Sequence, residues 1–333
     1  MKNQYLKIFA CCIPVKGVIR SIIIDTQRNK YYFIPNDLYM IITEYLEFNI
    51  KKLDEIFSLS KRELEEYIDF LLKNDLAFLT NEPNSFQDID PVWETPRTID
   101  NSIIDIDEFS KYDVLDAIIQ IDKLGARAVQ LRLFSEFSFL WMKELLNNII
   151  LKTKRIKTIE LYIKFSKEID EINLEKELSF FHLVSSVIVH SSDKDLVVSD
   201  KGTIIIFIKE KIDNETHCGI INHYLFAPNL EHVLEARKHN TCLNKKISVD
   251  TKGNIKNCPS MTMAYGSVEN NLLTDIVKLN DFQELWGVSK EQINVCKDCE
   301  FRLICTDCRA YLDNKFDKPV KCNYDPYTAI WQN

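Results

Sequence analysis

No stretch of the 333-residue sequence is apolar over the ~20 residues that a membrane-spanning helix needs, which argues against a helical membrane protein. A long basic run is missing as well. The 42 lysines and arginines face 50 aspartates and glutamates, for a net charge of −8, so nucleic acid is a poor partner. No export signal stands at the N-terminus. Ile8-Phe9-Ala10-Cys11 superficially resembles a lipoprotein cleavage box, but the apolar run between Lys7 and Lys16 is short and broken by Pro14, so it reads as a strand. The six histidines show no metal-binding spacing with one another. With nothing pointing to an oxidising compartment, a cytoplasmic location is expected, with cysteines that serve as ligands or buried thiols rather than disulfides. What remains is an ordinary globular composition, 46% hydrophobic and 28% charged, long enough for two or three domains.

Against that background the cysteines stand out. Seven of the ten fall between Cys242 and Cys322. Four form Cys296-x2-Cys299-x5-Cys305-x2-Cys308, a pair stands upstream as Cys242-x10-Gly253-x4-Cys258, and Cys322 closes the set. Thiolates are soft ligands that suit zinc and iron–sulfur clusters, and a Cys-x2-Cys step lets one short loop present two sulfurs to one metal centre. A single zinc site would use four of the seven and leave three over. Paired Cys-x2-Cys zinc sites also carry a spacer of about 15–20 residues, not five. Seven cysteines suit two cubane clusters of four ligands each, with one ligand supplied from elsewhere. Zinc is the alternative.

The rest of the chain reads as an α/β (α+β overall) protein. In residues 1–80, Tyr5–Ile13 is apolar enough for one strand, and Arg20–Asp25 and Tyr31–Ile34 flank a polar turn as a hairpin. Asn36 is placed to cap a helix, and a short helix follows around residues 52–57. Ser60-Lys61-Arg62-Glu63 is a capping box ahead of a helix with Leu64, Tyr67, Ile68, Leu71 and Leu72 on one face. Leu76–Leu79 returns as a strand. Residues 81–97, with Pro83, Pro91 and Pro96, read as a linker in which Trp93 docks onto a neighbour. From residue 98 to 238 strands alternate with helices: strands at 102–106, 128–134, 158–163, 185–190 and 203–208, helices at 114–124, 139–151 and 174–181. Such alternation implies a parallel sheet with crossover helices, and four or five strands are too few for a closed eight-stranded barrel. The Lys51-Lys52 and Lys245-Lys246 pairs read as solvated faces, Cys11 and Cys12 as buried strand residues, and Trp331 as a lid over the last cysteine.

These motifs carry a resemblance. The seven-cysteine order is similar to that of the SPASM domain (here 239–333), the C-terminal extension of radical-SAM peptide maturases, which holds auxiliary [4Fe-4S] clusters. It departs from that pattern in having two residues, not three, between Cys305 and Cys308. The resemblance implies that Cys242, Cys258 and Cys308 serve one cluster, with Cys218 as the candidate fourth ligand and His239 a weaker one, and that Cys296, Cys299, Cys305 and Cys322 serve the other. The strand–hairpin–three-helix order of residues 1–80 resembles the winged-helix-like, PqqD-like elements that bind leader peptides by strand addition. The middle segment resembles a partial radical-SAM β/α barrel, but it is degenerate. The family's Cys-x3-Cys-x2-Cys is replaced by Asp107-Glu108-Phe109-Ser110-Lys111-Tyr112-Asp113, and its Gly-Gly-Glu by Phe134-Ser135-Glu136. SAM binding is therefore not expected. Together with Phe9–Gly17 and Thr26–Asn36, the whole chain resembles the SPASM-domain peptide maturase of grasp-with-spasm systems, whose implied partners are a precursor peptide and an ATP-grasp ligase. Three functions follow: a maturation factor with structural clusters, a SAM-independent redox enzyme using an open iron site, or a zinc-stabilised interaction module. A full set of eight ligands favours the first.

Overall fold

The computed structural model describes residues 4–45, 49–56, 61–200 and 202–332. The N-terminal segment builds β1 (Tyr5–Ile8), β2 (Cys12–Val15), β3 (Ser21–Asp25), β4 (Lys30–Ile34), α1 (Asn36–Glu44), α2 (Ile50–Ile56), α3 (Lys61–Lys73) and β5 (Ala77–Thr80). The single strand expected over 5–13 is two. A turn in which the Cys12 N–H donates to the Phe9 carbonyl at 2.8 Å separates them. β1 then pairs with β5, whereas β2 joins the antiparallel sheet β2-β3-β4. Cys12 is accordingly a buried strand residue, but Cys11 sits in the turn and is only half-buried. Asn36 does not cap α1, whose N-cap is Pro35. Its side chain accepts from Ser21 Oγ at 2.6 Å and donates to the Val18 carbonyl at 3.0 Å, tying the helix to the β2–β3 loop instead. The capping box expected at Ser60 lies outside the described residues.

β3 is buried along its whole length. Side chains alternate across a strand, so Ile23 points into a core with Leu38, Ile41, Leu64, Ile68 and Leu71. Ile22 and Ile24 point the other way, into a core with Phe301, Ile304 and Tyr324 near the C-terminus. The small sheet is thus sandwiched between its own helices and the cysteine-rich region. Arg20 strengthens that contact by pairing with the buried Glu300 at 3.0 Å.

The middle of the chain forms β6 (Asn101–Ile106), α4 (Val114–Lys123), β7 (Ala128–Leu133), α5 (Phe139–Lys152), β8 (Thr158–Lys164), α6 (Lys167–Glu171), α7 (Leu174–Leu178), β9 (Val184–His190), β10 (Leu196–Asp200) and β11 (Thr203–Phe207). Later come α8 (Leu230–Ala236), β12 (Lys246–Val249) and β13 (Ile255–Lys256). Side-chain caps start the crossover helices: Asp113 accepts from the Asp116 amide and Ser138 from the Trp141 amide. The result is a mixed α/β fold around one mostly parallel sheet of eight strands, in the order β10-β11-β9-β8-β7-β6-β12-β13. That is more strands than the sequence predicts. The additional ones are an outer strand with Leu196 and Val197 exposed (β10) and a hairpin inside the cysteine-rich segment (β12, β13), which extends the sheet at β6. Among the described residues the two end strands do not pair, so the sheet stays open. Among them, too, no helix is long and apolar enough to cross a membrane.

One charge pair lies inside this sheet. Arg132 on β7 donates two bonds, at 2.6 and 2.7 Å, to both oxygens of Asp105 on β6, and both side chains are buried. Burial pushes the Asp105 carboxyl up to about 6, against the pull of the guanidinium. Removing one partner leaves an uncompensated buried charge. Arg132→Met should therefore cost about 3–5 kcal/mol in denaturant unfolding, and Asp105→Leu combined with it should restore most of that loss.

Candidate metal centre

The structure gathers the predicted cysteines into two groups. In the first, the β12–β13 hairpin presents Cys242 just before it and Cys258 just after it, with Gly253 turning between the strands at φ +79°. Cys218 arrives from a separate loop. Its neighbour Gly219 has φ +86°, and a Cβ there would lie 2.6 Å from Cys308 Sγ, so the backbone at Gly219 lies close against that sulfur. Burial pushes the Cys258 thiol up to about 12, and the neighbouring Cys242 and Cys218 push the same way. Burial likewise pushes Cys308 up to about 11, again with Cys242 and Cys218 at hand. His239 stays outside this group. It bonds to the Trp286 carbonyl, and its remaining charged neighbours are Lys245 and Lys238.

The second group holds Cys296, Cys299, Cys305 and Cys322. Burial pushes Cys296 and Cys305 up to about 12, each with Cys322 and the other among its neighbours. Cys299, raised by burial, has Cys305 and Cys296 beside it. Trp331 packs on Tyr324 at 5.0 Å between centroids, in the apolar shell shared with Cys299, Cys305 and Cys322. In both groups sulfurs accept backbone amides two residues on, from Ser260 to Cys258, Phe301 to Cys299 and Ala310 to Cys308. Such bonds stabilise sulfur as thiolate and tune metal–thiolate centres.

The short step from Cys305 to Cys308 sends its two sulfurs to different groups, and the buried Asp307 stands between them. Asp307 pairs with Arg309 at 2.6 Å and faces Lys290 at 4.0 Å. It also accepts from Asn240 Nδ2 at 2.9 Å. Asn240 in turn accepts the Cys242 and Leu243 amides, fastening the first group's loop. Lys290 donates to the Cys305 carbonyl at 2.7 Å, and Lys321 to the Cys218 carbonyl at 2.8 Å.

Sequence reasoning missed these fixing residues. It also took Lys245 and Lys246 for a solvated face. Lys245 instead donates to the Thr95 carbonyl at 2.6 Å, and the half-buried Lys246 places its ammonium 3.7 Å from Cys242 Sγ with Cys258 and Cys218 near. The signal for Lys246 was its position four residues after a candidate ligand.

The spacing within the groups bears on the metal. Among the described residues, the one set of three or more ligand atoms all within 4.8 Å of one another lies outside both groups. A tetrahedral zinc thiolate, with Zn–S of about 2.3 Å, needs sulfurs about 3.8 Å apart. In neither thiol group do three ligand atoms lie within 4.8 Å of one another.

At the C-terminal end of the parallel strands, where open α/β sheets take ligands, lies a cavity of about 280 Å³ lined by Asp107, Phe134, Ser135, Lys164, His190 and Asp213 among others, none of them cysteine. Glu136 pairs there with Lys164 at 3.3 Å.

No protein-family model matches the chain, and no curated protein matches it either. Its function has to be read from its own residues.

Two outcomes follow from this geometry. Gly219→Ala forces a side chain onto Cys308 Sγ at a positive φ and should cost more than about 1 kcal/mol, whereas Gly287→Ala, with open space around it, should change unfolding by less than about 0.5 kcal/mol. The buried thiols bind their protons more tightly folded than unfolded. The metal-free protein should therefore keep this contribution below the ordinary thiol value of 9.0 and lose it as pH rises toward 12, which urea titrations above and below 9.0 would register.

Proposed function

We propose that this protein is a maturation factor for a ribosomally made peptide, holding two [4Fe-4S] clusters of structural role and presenting the peptide to a partner ligase of the ATP-grasp class in the cytoplasm. The observation that carries the reading is the completion of the ligand count. Cys218 joins Cys242, Cys258 and Cys308, so each group offers four thiols. The soft donor set and the amide bonds to sulfur support clusters. Four protein ligands per cluster leave no open iron for substrate, which weighs against the redox reading. Bound clusters would supply rigidity and, in principle, electrons. The protein's own residues supply the exclusion of water, the charge of Lys246 and Lys290, and the fixed loop geometry.

On this reading residues 1–80 are the leader-recognition element, 81–97 the linker, 98–238 a degenerate radical-SAM-like partial barrel and 239–333 the SPASM domain. The loops after β6 and β7 carry no cysteine, and on that ground we read the segment as a barrel that does not run radical-SAM chemistry. The dock for the leader is the outer edge of β4, which among the described residues pairs only with β3. Tyr32 on β4 meets Phe70 on α3 edge-on at 6.4 Å, so an added strand would run beside α3.

Two measurements test this. After anaerobic reconstitution, Cys218→Ala and Cys299→Ala should each lose about half the iron, from different clusters, and adding SAM should leave the spectra unchanged. Equal iron in Cys218→Ala and the wild type would remove Cys218 from the ligand set. With a leader peptide from a neighbouring precursor gene, hydrogen exchange should show new protection at Lys30–Ile34. Protection elsewhere with none on β4 would displace the proposed dock.

A further inference from the structure

The set of ligand atoms lying outside both cysteine groups is Cys11 Sγ, Cys12 Sγ and a carboxylate oxygen of Asp25, all within 4.8 Å of one another. We propose that these three residues bind a single thiophilic divalent cation of the zinc class, at the tip of the N-terminal sheet.

The backbone builds the site. Cys12 and Asp25 are directly opposed in the β2–β3 register, and Cys11 is held at the turn because both the amide and the hydroxyl of Thr26 donate to its carbonyl at 2.9 Å. Two adjacent thiols and a carboxylate form a mixed soft and hard set that suits zinc and its congeners better than magnesium or calcium. Gln27 Oε1, 3.6 Å from Cys11 Sγ, is at hand as a further oxygen donor. Asp25 Oδ1 is taken by the Gln27 and Arg28 amides, whereas Oδ2 accepts one bond, from Arg28 Nη1 at 2.9 Å, and keeps a lone pair for a metal. Charge also balances. Two thiolates and one carboxylate around a dication leave one negative charge, which the Arg28 guanidinium offsets. Asp25 is buried and Cys11 half-buried, so an ion reaches the sulfurs from the turn without opening the core. The site shares no residue with the cluster groups, so it stands or falls independently of them.

Trypsin cuts after Lys7 and Lys16, which places Cys11 and Cys12 alone on one peptide. The full-length protein, reduced and anaerobic, is pulsed with iodoacetamide with and without Cd2+ and digested, and alkylation of that peptide is read by mass spectrometry. Cd2+ should slow alkylation at Cys11 at least tenfold, and Mg2+ should not. Cys11→Ala should bind one Cd2+ fewer per chain while the peptides carrying Cys296–Cys322 keep their protection. Asp25→Asn should weaken the protection of Cys11. Unchanged alkylation at saturating Cd2+ would overturn the proposal, as would equal protection by Mg2+, an unchanged Cd2+ count in Cys11→Ala, or recovery of the peptide as an internal disulfide from the reduced protein.

Discussion

Asp307 is the residue on which the cysteine-rich region hangs. A carboxylate this deeply buried persists only when it is paired and hydrogen-bonded, and each of its partners anchors a different loop. Arg309 continues into the segment around Lys315 and Asp317, whose carbonyls it binds. Lys290 reaches the carbonyl of Cys305. Asn240 fixes the turn that carries Cys242. One charge in the two-residue step between Cys305 and Cys308 thus ties together the loops that carry the two thiol groups. Cys305 and Cys308 straddle this fixed point, and Cys308 comes beside Cys242 and Cys218.

The same economy holds the two ends of the chain together. β3 has no exposed face, so its isoleucines need apolar partners on both sides. Its own helices cover Ile23, and Phe301, Ile304 and Tyr324 cover Ile22 and Ile24. Phe301 and Ile304 lie between Cys299 and Cys305. The packing that steadies the N-terminal sheet is therefore the packing that walls the second thiol group. A peptide docked on β4 would lie on an element coupled to that wall, since Tyr31 of β4 meets Phe301 at 5.7 Å.

The parts of this arrangement legible in the sequence are those with short-range signals. Strands β6 to β9 and helices α4 and α5 announce themselves by apolar runs and stripes, and the ligand candidates by Cys-x2-Cys spacing. The parts not legible depend on distant partners. Phe9 and Ala10 look like strand residues, and only the separate pairing of β1 with β5 and β2 with β3 makes them a turn. β13 is two residues long and exists because β12 pairs with β6, some 145 positions away in register. Cys218 carries no spacing signal at all; only the arithmetic of seven cysteines for eight positions pointed to it. Lys246 reads as a surface charge, with its place four residues after Cys242 the one local hint of the thiols near it, and Lys290 has no local signal for the aspartate that it faces.

The measurement that bears most directly on the central claim is the metal content of the wild-type chain after anaerobic purification and reconstitution, with iron, sulfide and zinc counted per chain. Two four-thiol groups filled as proposed give about eight irons and about eight sulfides. Zinc bound to these groups without sulfide would contradict the cluster assignment and leave an interaction module in its place.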